Sequence, residues 1–189
     1  SHSTSNAKMT VHKIGRWIMK HSQVERFACS EPAGRWMYGN KPFRVVHNAI
    51  DLDAFSFKQE SREKIRKEFH IADNQPVFGH IANFVACKNH TFLIDVYHEI
   101  ARILPEARFF CLGDGSLRNE MMEKAKSLGI GEQVIFTGMR GDAYDFMSAM
   151  DVLIFPSIYE GLPLTLIEAQ TAGLPILMSD TVNPEAVSY

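Results

Sequence analysis

The sequence predicts an α/β domain, a doubly wound parallel sheet, from about residue 75 onward. Short β-branched runs alternate there with longer stretches of helical periodicity. Five of the former and four of the latter follow one another in turn, and the breaks between them fall at Gly and Pro. Parallel neighbours need a crossover of about a dozen or more residues, so this alternation implies one sheet covered by helices on both faces.

Val77–Ile81 reads as the first strand. Asn89–Leu104 then reads as a helix with Phe92, Leu93, Val96, Ile100 and Ile103 on one stripe. Arg108–Leu112 is the second strand, closed by the turn Gly113-Asp114-Gly115, after which Ser116 is placed to cap a helix running to about Leu128 and stopping at Gly129. Val134–Phe136, Asp142–Ala149 and Val152–Phe155 read as strand, helix and strand, the last bounded by Pro156. Pro163 opens a helix that ends at Gly173, and Ile176–Met178 is the fifth strand. In such sheets ligands bind beyond the carboxyl ends of the strands, where strand order reverses, here between the first and fourth strands. Ala82–Lys88 and Ser157–Leu162 are therefore the loops expected to form a site.

The first 70 residues read differently. Val11–Lys20 carries Val11, Ile14, Trp17 and Ile18 at helical spacing, and this basic amphipathic stretch suits packing on a neighbouring element better than lying on a membrane. Arg26–Cys29 is a short strand, Pro32–Tyr38 a helix, Arg44–Ile50 a strand and connector, and Arg62–Phe69 a charged helix. Ser1–Ala7 lacks the apolar core of a signal peptide and reads as an expression scar.

Composition narrows the function. The 189 residues are 46% hydrophobic with a formal net charge of -2, a globular profile without the basic face that nucleic acid requires. Apolar runs such as Leu162–Leu166 fall far short of the ~20 residues of a membrane span. Cys29, Cys87 and Cys111 are odd in number and form no C-x-x-C pair, which argues against a disulfide framework or a thiolate zinc site and fits a reducing cytosol. No H-E-x-x-H or D-x-D pattern occurs, so a bound metal is not expected. Gly113-Asp114-Gly115 is not a dinucleotide fingerprint and is read as a tight turn, and His80 as a half-buried strand residue.

The strongest local signal is Glu160-Gly161-Leu162-Pro163-Leu164-Thr165-Leu166-Ile167-Glu168, directly after the fourth strand. It puts one carboxylate in a loop and a second roughly 7.5 Å along the following helix. The helix start offers unpaired N–H groups and a positive dipole end suited to phosphate. Carboxylates only accept hydrogen bonds, so their natural targets are the hydroxyls of a sugar and a ribose. A solvated loop Glu and a helix-dipole Glu explain the same spacing equally well.

This segment, with Cys29-Ser30-Glu31, His47-Asn48-Ala49-Ile50-Asp51, Lys88-Asn89-His90, Leu112-Gly113-Asp114-Gly115 and Phe136-Thr137-Gly138 in order, closely resembles the family 4 retaining glycosyltransferases of GT-B architecture, and in particular those that build bacterial capsules, exopolysaccharides and lipopolysaccharide cores. The resemblance implies that residues 8–47 are the tail of an N-terminal acceptor domain, 48–74 an interdomain connector, and 75–189 a Rossmann-like nucleotide-sugar-binding domain truncated at its C-terminus. It implies transfer of a hexose from a nucleotide-diphosphate sugar to a growing polysaccharide or glycolipid, with retention, without a metal or other cofactor. Glu160 would contact donor hexose hydroxyls as the catalytic carboxylate, and Glu168 the ribose diol. Backbone amides near Leu164 and Thr165 would hold the diphosphate, Lys88 would neutralise it, and the backbone at Arg140 would frame the base. Such an enzyme is cytoplasmic, with peripheral attachment to the inner membrane face through the acceptor domain, and this fragment by itself is expected to be inactive. One position departs from the pattern: Asn83 stands where relatives commonly carry a phosphate-binding arginine. That substitution is the feature favouring a non-catalytic nucleotide-sugar-binding assembly subunit; an epimerase or phosphorylase of the same architecture is the other alternative.

Overall fold

The computed structural model describes residues 14–15, 17–18, 24–46, 48–160 and 162–182. Of the stripe expected over Val11–Lys20, Ile14, Gly15, Trp17 and Ile18 are helical and the rest lies outside the described residues. The chain divides into two compact units, residues 1–49 and 50–189.

In the first unit, β1 (Phe27–Ala28) pairs in parallel with β2 (Arg44–Val45), and α1 (Glu31–Tyr38) connects them. Ser30 caps α1 by accepting a hydrogen bond from the Ala33 amide, and Pro32 sits in the first turn, where its missing N–H costs nothing.

The second unit is built on five parallel strands: β3 (Val77–Ile81), β4 (Arg108–Leu112), β5 (Val134–Gly138), β6 (Val152–Phe155) and β7 (Ile176–Met178). Their order across the sheet is β5-β4-β3-β6-β7, so strand order reverses between β3 and β6 as the alternation implied. The crossovers carry α4 (His90–Ile103), α5 (Arg118–Ser127), α6 (Ala143–Ala149) and α7 (Leu164–Thr171). Alternation along β4 sends Phe109 and Cys111 into a core with Leu93, Tyr97 and Met121. It sends Phe110 and Leu112 into a second core with Phe146, Phe155 and Leu166 on the other face.

Several local readings are corrected. Ser116 does not cap α5: Leu117 occupies that position, without a side-chain cap. The helix read from Asp142 starts at Ala143, and the Asp142 carboxylate just before it is held by Arg140. β5 continues two residues beyond Phe136. Residues 50–74 contain two helices, α2 (Leu52–Phe55), capped by Asp51 at the amides of Asp53 and Ala54, and α3 (Gln59–Glu68). The charged helix thus starts before Arg62, and its charges are not all solvated.

Arg66 is 1% exposed. Its guanidinium donates to Asp151 Oδ2 at 2.8 Å and to the carbonyls of Ala72, Gln75 and Ala149. Arg62 binds Asp151 Oδ1 at 2.7 Å, and the Val77 amide donates to Asp151 Oδ2 at 2.8 Å. One carboxylate therefore ties α3 to the amino ends of β3 and β6. Asp151→Ala removes the partner of a buried cation, so urea unfolding should show a loss of about 2–4 kcal/mol; an unchanged midpoint would show that the carbonyls alone hold Arg66.

Candidate functional site

The carboxyl ends of β3 and β6 lie side by side because the two strands pair directly, Phe78 with Val152 and Gly79 with Leu153. After β3 the chain runs through Asn83 and Phe84 into a 3₁₀ turn, Ala86–Lys88, and Asn89 adopts φ 56° before α4 begins. Two glycines shape this loop. A Cβ on Gly113, at φ +126°, would lie 2.1 Å from the Ala82 carbonyl oxygen, and one on Gly115 would lie 2.6 Å from that of Phe84. Only glycine allows the β4 loop to cross so closely. The crossing is locked by hydrogen bonds from the Phe84 amide to Asp114 O and from the Leu117 amide to Phe84 O. The turn read as merely tight is thus the clamp on the Lys88 loop.

The loop after β6 is tied to the same turn, the Ile158 amide donating to Cys87 O at 2.9 Å. This brings Lys88 Nζ to 2.6 Å from Glu160 Oε1, with the two side chains 22% and 11% exposed. Lys88 also lies 5.7 Å from the centre of the Phe155 ring. α7 opens next to this pair. Pro163 precedes it without a side-chain cap, so the amides of Leu164 and Thr165, at the first turn, have no intrahelical acceptor.

A cavity of about 280 Å³ is lined by Asn83, Lys88, Gly113, Met139, Arg140 and Thr165 among others. Six of the seven predicted site residues are thereby brought to one place at the strands' carboxyl ends, either on the cavity wall or, as with Glu160 and Leu164, beside it. A larger recess of about 870 Å³, bordered by Met122, Lys126 and Gln133, sits at the amino end of β5 and contains none of them. Asn83 is exposed on the cavity wall. Arg140 faces the same cavity, but its guanidinium is taken twice over: Glu68 binds it at 3.0 and 3.2 Å and Asp142 at 2.8 Å through two nitrogens. All three nitrogens of its guanidinium are thus engaged by carboxylates.

Glu168 lies one turn into α7, half-buried, with no hydrogen-bond partner for its carboxylate among the described residues. Burial pushes its carboxyl above the usual range. Glu168 does not line the cavity, but an unpaired, desolvated carboxylate is the sort of group a hydroxyl satisfies.

Beneath the Lys88 loop lie two residues whose importance sequence reasoning missed. His80 is fully buried rather than half-buried. Its Nδ1 is 2.8 Å from Ile154 O. His90, the first residue of α4, is 1% exposed, stacks on Phe84 at 4.1 Å and meets the His80 ring edge-to-face at 4.9 Å. No local pattern announces this pair, since its partners lie on separate elements.

Residues 61–187 match the family described as Glycosyl transferases group 1. Among curated proteins the chain is 34% identical over 161 residues to EpsF of Bacillus subtilis (strain 168), covering 82% of this chain and 42% of EpsF. It is 36% identical over 139 residues to the Vi polysaccharide biosynthesis protein VipC/TviE of Salmonella typhi, covering 72% of this chain and 24% of that protein. The crystal structure of Anabaena Alr3699/HepE in complex with UDP and glucose superposes with a TM-score of 0.82 at 20% identity, over 95% of this chain and 50% of that one. The fold is thus the Rossmann-like α/β fold found in GT-B glycosyltransferases. The chain belongs to the glycosyl transferases group 1 family, and it spans less than half the length of the curated relatives named.

Burial, first of all, lowers the proton affinity of both histidines, His80 to about 4 and His90 to about 3, and Lys88 adds to the effect on each. In the unfolded chain each titrates near 6.5. The unfolded state therefore binds more protons below that pH, and stability is full above about 6.5 and falls as acid is added. Urea unfolding between pH 6.5 and 5, above the range of most carboxylates, should show ΔG falling by up to about 1.4 kcal/mol per pH unit for each histidine. A flat profile there would mean that the rings are charged or exposed.

Proposed function

We propose that this chain is the donor-binding half of a retaining hexosyltransferase that extends a cell-surface polysaccharide or glycolipid. The observation that carries the reading is the convergence of Lys88 and Glu160 at 2.6 Å beside the open start of α7. A cation and unpaired amides suit a diphosphate, and one carboxylate in the loop with a second about a turn into α7 suits two sets of hydroxyls. Lys88 and the amides of Leu164 and Thr165 hold the diphosphate, Glu168 the ribose diol, Glu160 the hexose, and the backbone at Arg140 frames the base. Negative charge grows on the leaving diphosphate, so its stabilisation is the main electrostatic task. The chain's own cation and dipole supply that potential, and donor binding needs no metal. UDP and glucose in the similar Anabaena structure, and the polysaccharide role in the Salmonella protein's name, support the substrate class. The acceptor is held by sequence outside this chain, which alone binds donor without transferring it. A second reading, a nucleotide-sugar-binding assembly subunit, is favoured by one observation, the neutral Asn83 on the cavity wall.

Calorimetry with UDP, GDP and ADP and their sugar conjugates tests the assignment, with and without excess chelator. We expect chelator-independent binding of at least one of them. Glu168→Ala should weaken nucleotide and conjugate alike by about 0.5–1.5 kcal/mol. Glu160→Ala should weaken only the conjugate, while the nucleotide binds as well or better because Lys88 has lost its competitor. Equal losses for both ligands in the Glu160 variant would refute this division of roles, and strictly metal-dependent binding would refute the metal-free site.

Asn83 offers neutral donors where an arginine would offer a charged fork. Because the residue is exposed on the cavity wall, Asn83→Arg should tighten nucleoside-diphosphate binding by about 1–2 kcal/mol. The gain should shrink with added salt and be absent for the nucleoside. Unchanged diphosphate affinity would place the phosphates elsewhere.

A further inference from the structure

The fold does not explain why the two rings under the Lys88 loop are histidines. His80 Nδ1 lies 2.8 Å from a carbonyl oxygen, which only accepts, so Nδ1 carries the proton and Nε2 is left as an acceptor. That Nε2 is buried without a partner, and so are both nitrogens of His90. Each such atom is unfavourable relative to a satisfied one, whereas phenylalanine would make the same stacks without that penalty. The three atoms are not scattered. His90 joins the start of the loop, through its stack on Phe84, to the start of α4, and its edge meets His80 on β3. Lys88 sits in the turn between Phe84 and His90, close enough for its charge to act on both rings. Phe155 lies beside both His80, at 6.1 Å, and Lys88, at 5.7 Å.

We propose that His80 and His90 are positioning residues for Lys88: the polar floor of its turn, whose ring nitrogens set where the ammonium stands and hence the affinity for the donor diphosphate. The inference rests on the donor reading above. Neither ring touches the ligand. The His80 ring meets the His90 ring edge-to-face, and the His90 ring joins both ends of the loop that carries the cation.

Two variants separate this from a packing role. His90→Phe keeps the stack on Phe84 and deletes both unpartnered nitrogens. His80→Asn keeps a donor for Ile154 O and removes the acceptor from the Nε2 position. Affinities for the tightest-binding of UDP, GDP and ADP, and for the matching nucleoside, are measured on the whole chain well below each melting midpoint. We expect each variant to lose about three- to tenfold in affinity for the diphosphate with nucleoside affinity unchanged, and His90→Phe to melt no lower than wild type. A diphosphate-to-nucleoside affinity ratio equal to that of wild type in both variants overturns the positioning role while leaving the donor reading intact. Failure of wild type to bind any of the three diphosphates overturns the donor reading, and this inference with it.

Discussion

The Asp151 carboxylate organises the second unit. Its oxygens accept from Arg62, Arg66 and the Val77 amide, and the Asp151 amide itself donates to Val77 O. Side chain and backbone together thus fix the amino ends of β3 and β6 against each other. Parallel strands so anchored deliver their carboxyl ends as neighbours, and everything proposed to bind donor hangs from those two ends. Burying Arg66 is unfavourable in itself, but the main-chain carbonyls gathered around it leave its guanidinium few unmet donors. Breaking such a network by removing one partner is far costlier than never having built it.

At the other end of the strands, order comes from close approach rather than charge. Gly113 and Gly115 let the β4 loop cross Ala82 and Phe84, and the Cys87–Ile158 hydrogen bond joins the loops after β3 and β6. Lys88 and Glu160 are therefore carried on backbone that is already hydrogen-bonded, and meeting a ligand asks little reordering of it. Less ordering on binding leaves more of the contact energy as affinity.

The strands and the crossover helices were legible because each imposes a local period, and the reversal between β3 and β6 followed from their alternation. The spacing of Glu160 and Glu168 was legible as a motif, but the ion pair of Glu160 with Lys88 was not. What escaped depends on distant partners. Arg62 and Arg66 look like a solvated face until Asp151, 85 residues from Arg66, is brought to them. His80 looks like an ordinary strand residue until the start of α4 covers it. Asp142 has the composition of a cap, but Arg140, which also binds Glu68, holds its carboxylate in an ion pair instead. Local chemistry proposes a role, and the longer contact decides it.

The two carboxylates of the motif stand in opposite electrostatic situations, and this bears on how a nucleotide sugar would be recognised. Glu160 is already satisfied by an ammonium at 2.6 Å, whereas Glu168 is desolvated with no partner among the described residues. A ribose hydroxyl donating to Glu168 relieves a standing penalty, so that contact adds fully to affinity. A hexose hydroxyl donating to Glu160 enters a competition in which the diphosphate draws Lys88 away at the same time. The sugar contact thus comes at full strength only when the diphosphate is in place. Under the proposed roles the nucleotide would supply most of the binding energy, and the sugar would be held firmly only as part of the intact donor.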